Sequence, residues 1–574
     1  MKSALVRSLA VLVVACFAAL SVSVVAPAWA GPTVPKAPCG AGSLPETGLQ
    51  GEVPIADQFS TRSMQGYRCN LELVGRYAGN GGAIMMAWHD RCAYMATGYA
   101  PTDPDYEQKK GVVVIDAGDP RHPKETARLQ TAAMINPWEA LKANSRTGLL
   151  ATGEGGSFPL TGPGASGPMF DVYDVKSDCA HPRLQASVSL PDGKGHEGDF
   201  APDGRTYYQS TLQAAPSASV IPVDVSDPKK PRQLAAWASP LGPVHALQIS
   251  EDGNRGYFMI AGLNAGSGDA NGLVIADTSE IQQRKPNPQI REISHVLWQD
   301  AGEAQIGRFV KIGGHPYVIT TDEFGAAVTP ALACQQGQPP YGFVHIVDVA
   351  DERHPKVVST IRMEVNETAN CPTTVSEQNA AFALMYSAHY CTPDDPENTT
   401  AIACAWISSG VRVFDVRDPL HPREIAYYNP PANLDPESIR GGAPYYDALV
   451  GLRTKDSVST QIRWVHDAAT NEQHLWFISG ENGFQIVKFT NGAYTRAAPA
   501  VVPGRPAVAP STAPSPRGSA NGPLPATGDS LPRSVMGLAA LLVAMGAVVV
   551  SRRARPPALG SSDARAARPS SSRR

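Results

Sequence analysis

Short apolar runs that end in an aspartate recur along this chain. Residues 111–116 read GVVVID, 170–174 FDVYD, 220–224 VIPVD, 272–277 GLVIAD, 342–348 GFVHIVD and 410–415 GVRVFD. Residues 483–488 read GFQIVK, with Lys488 where the others place Asp116, Asp174, Asp224, Asp277, Asp348 and Asp415. The β-branched and aromatic content of each run predicts a short buried strand. A turn segment follows most copies: Asp119-Pro120 with His122-Pro123, His181-Pro182, Asp227-Pro228, Asp351 with His354-Pro355, and Asp418-Pro419 with His421-Pro422. Aspartate accepts from nearby backbone N–H groups and proline fixes φ, so each segment predicts a tight turn. Another strand follows, as at Lys124 to Gln130 and Lys356 to Arg362.

The seven copies lie 50 to 73 residues apart. Each unit therefore holds several short strands and loops of varying length, the signature of a repeat architecture. The strand and its turn resemble the LVIVD-repeat family over about Leu71 to Asn491. The resemblance implies an all-β fold, a seven-bladed β-propeller, within the usual range of blade numbers. Leu71 to Tyr77 has the character of the strand that follows each turn, and nothing equivalent follows the last copy. The expectation is an N-terminal strand that completes the last blade and removes exposed sheet edges.

Outside the repeats the apolar pattern changes period. Lys2 and Arg7 precede an apolar run from Ser8 to Val25, and Ala28-Trp29-Ala30 offers a cleavage site. Residues 1–30 thus read as a signal peptide, and 31–70 as an N-terminal extension to a propeller over 71–492. Residues 493–523 are rich in Pro, Ala and Ser and read as a disordered stalk. Residues 524–555 hold LPATG at 524–528, an apolar transmembrane candidate at 535–550, and Arg552, Arg553 and Arg555; a disordered basic tail covers 556–574. This order resembles the LPxTG cell-wall sorting signal of Gram-positive bacteria. It implies cleavage between Thr527 and Gly528 by a sortase and linkage to peptidoglycan. The alternative is a C-terminal membrane anchor with arginines held inside. In both, the propeller stands extracellular, anchored to the cell wall or membrane.

The formal charge of -4 supplies no concentrated basic face, which excludes nucleic acid as an expected partner. With 52 glycines and 51 prolines, short strands fit better than long helices. Cys16 would leave with the signal peptide, so eight cysteines remain, an even number that favours disulfides in an exported chain. Cys39 with Cys69 and Cys391 with Cys404 are plausible local pairs. No Cys-x-x-Cys occurs.

Candidate chemistry comes from a second recurrence, between the copies. His89, His196, His245, His389 and His466 fall on the strands expected to line the central channel. Trp138-Glu139 and Gln305 take that place in the other two units. Imidazoles converging on an axis are good ligands for Zn or Cu. Asp90, Glu139, Glu197 and Asp467 can orient them or add oxygen ligands. The arrangement, though not the motifs, resembles propellers with histidine-lined metal sites such as the selenium-binding proteins. Equally, a repeated histidine can simply hydrogen-bond to the next blade. Glu154 and the Asp322-Glu323 pair are possible channel-mouth acids and calcium ligands, against a plain role as solvated loop acids. No nucleophile elbow, His-Glu-x-x-His or phosphate loop occurs. The sequence favours a surface-displayed binding module for a protein or small molecule. Its contacts would lie in the inserts 153–167, 322–341, 364–377 and 429–460. A metal-dependent oxidoreductase or hydrolase is the alternative.

Overall fold

The computed structural model describes residues 32–495 except 59, 100–102, 156–168, 193–194, 377–383 and 434–454. The chain divides into two units, Met1–Ala500 and Val501–Arg574, and the second lies outside the described residues. So do the expected signal peptide, the expected stalk 493–523 beyond residue 495, the expected sorting signal with Thr527 and Gly528, the transmembrane candidate and the tail.

The six aspartate-ended runs and the Lys488 run form the third strands of seven antiparallel sheets, the blades of a β-propeller. Blade 1 holds Met86–His89, Cys92–Met95, Val112–Asp116 and Lys124–Leu129 from the axis outwards. Blades 2 to 6 follow in chain order, with innermost strands Lys142–Asn144, Gly198–Phe200, Val244–Ile249, Gly302–Ile312 and Tyr390–Pro393. Blade 7 holds Arg463–Asp467, Glu472–Ser479 and Gly483–Phe489. Third strands such as Val112–Asp116 are buried on both faces by neighbouring blades, hence their continuous apolar runs. Outermost strands such as Arg183–Ser189 are largely exposed. A glycine opens several third strands because the outermost strand passes so close: at Gly111 (φ 95°) an added Cβ would lie 2.1 Å from the Leu129 carbonyl oxygen.

Each of the six aspartates accepts a hydrogen bond from the backbone N–H two residues on, at 2.8–3.1 Å, as in Asp116 with Gly118 and Asp415 with Arg417. The turn aspartates do the same, and Asp119, Asp178, Asp351 and Asp418 also hold the turn histidines at 2.8–2.9 Å. His122, His181, His354 and His421 are therefore turn residues on the outer surface.

Leu71–Tyr77 is the outermost strand of blade 7, closing the ring as the pattern predicted. Its register explains Lys488. In other blades the strand-end aspartate pairs with a cation on the outermost strand, as Asp174 with Arg183 (2.8 Å) and Asp224 with Arg232 (2.9 Å). At the closure the pair is inverted: Lys488 meets Glu72 at 3.1 Å and Glu472 at 2.7 Å.

The N-terminal extension does more than precede the propeller. Tyr67–Cys69 adds a fifth strand to the edge of blade 6 before the chain crosses to blade 7. The crossing is made at Asn70, at φ 58°, whose amide bonds the Pro38, Ile425 and Gly40 backbones. Four disulfides are formed: Cys39–Cys69, Cys92–Cys179, Cys334–Cys371 and Cys391–Cys404. Such a complement suits an oxidising, extracellular compartment. Among the described residues no helix is long and apolar enough to cross a membrane.

Candidate functional site

Three histidines and three glutamates from five blades meet at one end of the channel. His196 lies two residues before the innermost strand of blade 3, His245 is the second residue of that strand in blade 4, and His389 directly precedes it in blade 6. Glu139 lies in the segment leading into blade 2, and Glu303 and Glu323 sit on the first two strands of blade 5. All six are buried. Bulges help to aim them: the register shifts between Val244 and Leu247, around His245, and between Ala304 and Gly307, around Gln305. Trp138 (φ 48°) and Glu303 (φ 51°) hold left-handed backbone, strain of the kind that collects at functional sites.

Glu139 is the hub. Its Oε2 lies 3.2 Å from His196 Nε2 and 3.4 Å from His245 Nε2, without hydrogen-bond alignment to either. Its Oε1 lies 3.0 Å from His389 Nε2 and accepts from Gln305 Nε2 at 2.8 Å. His389 Nε2 also meets Glu323, while its Nδ1 donates to the Ser459 carbonyl. Since a carbonyl only accepts, Nδ1 carries hydrogen, and Nε2 is left to face the carboxylates. The ligand atoms of Glu139, His196 and His245 lie within 4.8 Å of one another, as do those of Glu139, Glu323 and His389, and those of His245, Glu303 and Glu323.

The electrostatics follow from this crowding. Burial pushes the Glu139 carboxyl up, but contacts with the three imidazoles win and hold it well below the usual carboxylate range. Burial pulls His245 down, yet Glu139 and Glu323 raise it to about 9; His389 is raised by Glu323 and Glu139 against the same penalty. For His196 burial dominates and the imidazole is pulled down. Burial and the Glu323 charge push Glu303 up to about 8. Glu197 points into a neighbouring buried pair with Lys142 at 2.8 Å; burial pushes it up to about 7 against that cation.

Of the five channel histidines expected from sequence, the fold brings together three. His89 and His466 sit at the far end of their strands, beside the hairpin turn into the second strand, opposite Cys92 and Gln473. His466 is exposed and contacts Gln473 at 2.8 Å. Their neighbours go with them. Asp90 occupies the hairpin tip at φ 49°, and Asp467 caps its own turn through Ala469 N–H and the Thr470 hydroxyl. Glu139 lies among the ligand atoms of the three histidines, and Glu197 pairs with Lys142 nearby. Glu323 joins the cluster; Asp322 points to the other side of its strand, into a network with His345. The recurrence in the sequence points to Gln305 but not to Glu303, two residues before it. Of the long inserts, 322–341 is fully described and 364–377 is described up to its last residue, whereas 153–167 and 429–460 lie partly outside the described residues.

No protein-family model matches this chain, and no curated protein matches it, so the resemblance to LVIVD repeats rests on the motifs themselves.

Proposed function

We propose that this protein is an exported β-propeller whose channel binds a divalent metal ion of the Zn²⁺ class. One observation carries the reading: Glu139 Oε2, an atom closed off from solvent and without a hydrogen-bond partner, faces Nε2 of both His196 and His245. A buried acceptor met by two misaligned imidazoles is better satisfied by a cation placed between the three atoms. The donors are imidazole nitrogens and carboxylate oxygens with no sulfur, a set suited to Zn²⁺ rather than Cu⁺. The hydrogen bond from His389 Nδ1 to the Ser459 carbonyl is the outer contact that metal-bound histidines usually make. A β-propeller is equally consistent with an interaction module, and the buried cluster is what favours metal over a ligand held by loops alone. Metal analysis of the full chain, loaded with Zn²⁺ and dialysed, is expected to find stoichiometric metal. The His196→Ala/His389→Ala variant is expected to retain none. A wild-type protein that dialyses free of metal would sink the proposal.

For location we propose display outside the membrane through sortase and peptidoglycan. The order of LPATG, apolar segment and arginines supports it, together with four disulfides. Thr527→Ala should leave the protein extractable from walls by detergent. Persistent covalent linkage to peptidoglycan would rule the sorting reading out.

A further inference from the structure

We infer that the channel site is dinuclear, with the Glu139 carboxylate bridging two divalent ions. The inference rests on the metal-binding reading and deepens it. The two oxygens of Glu139 address different histidines. Oε2 faces His196 and His245, at 3.2 and 3.4 Å, whereas Oε1 faces His389 at 3.0 Å. A carboxylate that turns one oxygen to each of two ligand sets is built to span a pair of ions, which in two-metal sites lie about 3.5–4 Å apart.

The donor geometry divides in the same way. Metal–nitrogen and metal–oxygen bonds of about 2.0–2.2 Å require the donors of one ion to lie within roughly 4.4 Å of one another. His196 shares a group with His245 and Glu139, and His389 shares one with Glu323 and Glu139; no group among the described residues contains both His196 and His389. One ion therefore takes His196, His245 and Glu139 Oε2. The other takes His389, Glu323 and Glu139 Oε1. Glu303 lies within reach of His245 and Glu323, one ligand from each set, and supplies a second link between them.

Gln305 marks the second position. Its amide nitrogen stands 2.8 Å from Glu139 Oε1, 3.3 Å from Glu323 Oε1 and 3.3 Å from His389 Nε2, while its own Oε1 is buried without a partner. Three ligand atoms thus converge on one weakly positive donor, and a cation satisfies all three better. Turning the amide would then offer Gln305 Oε1 to that ion.

The test is stoichiometry in the full chain loaded with Zn²⁺ and, separately, with Mn²⁺. Two Zn²⁺ per chain are expected, with His196→Ala and His389→Ala each retaining one and Glu139→Ala failing to hold the pair. The Mn²⁺ form is expected to show the electron paramagnetic resonance spectrum of an exchange-coupled pair. Saturation at one ion, or an uncoupled Mn²⁺ spectrum at two, overturns the bridge and leaves metal binding standing. No bound metal overturns both. The wild-type measurements decide this even if a variant fails to fold.

Discussion

Arg412→Ala will lower the unfolding free energy by about 3–5 kcal/mol, the scale of breaking a buried ion pair by removing one partner. Arg412 lies on the third strand of blade 6 and is fully buried. Its guanidinium reaches Glu424 at 2.8 Å and Glu46 in closer contact, donates to the Ser409 carbonyl at 3.1 Å, and covers the Tyr427 ring at 4.5 Å. Burial already pushes Glu46 up to about 7 despite Arg412. Without the cation, two carboxylates would face each other out of water. Glu46 also belongs to the N-terminal extension, as do Ala37 and Gln50, which bond Glu424. The substitution should therefore loosen that strap first. Denaturant unfolding measures the loss, and limited proteolysis should cut within residues 34–53 before the propeller itself. A loss below about 1 kcal/mol, the range of an exposed pair, would show that the triad does not anchor the extension.

The strap also shows where sequence stops being informative. Third strands and their turns were legible because their determinants are local: an apolar run, an aspartate two residues from the N–H it binds, and a proline. The closing strand was legible because Leu71 to Tyr77 carries the pattern of the strand it replaces. Tyr67–Cys69 was not, since three residues hold no period and their pairing depends on Asn70 and on Asn429, hundreds of positions away. The histidines divide similarly. Residue type recurs in five units, but register decides which side chains meet. A hairpin turn follows His89 directly and His466 after Asp467, whereas an inner strand still lies ahead of His196, His245 and His389. That difference is written in Asp90-Arg91 and in Asp467 to Asn471. Glu303 and Glu323 come together through the long first hairpin of blade 5, and no local pattern announces a meeting across it.

A second expected result concerns pH. Stability should fall as pH rises from about 7 to beyond 9, and His345 should account for much of the fall. Its ring lies on the third strand of blade 5 between two carboxylates, with Nδ1 at 2.9 Å from Asp322 and Nε2 at 3.0 Å from Asp300. Carboxylates accept, so both nitrogens carry hydrogen and the ring is an imidazolium. Arg362 balances Asp300 at 2.7 Å, and Asn271 and Trp298 donate to Asp322 at 2.8 and 2.9 Å. Burial opposes the charge, but Asp300 and Asp322 prevail and raise His345 to about 9. The unfolded ring titrates near 6.5. The stabilisation is therefore fully present below about 6.5 and is lost as pH climbs through 9, in all about 3 kcal/mol if the shift is fully expressed. Asp300, held below the usual carboxylate range, adds a loss of the same kind in acid. His345→Gln keeps the shape but not the charge. Unfolding free energies at pH 6 and pH 9.5 should converge in that variant relative to wild type, both proteins being metal-loaded so that His245 and His389 do not titrate. Parallel pH profiles would mean that the ring is neutral. The consequence reaches the channel, because Asp322 is tied to His345 on one side of the strand that presents Glu323 on the other. A protein that loses this charge network should also hold its metal less firmly in base.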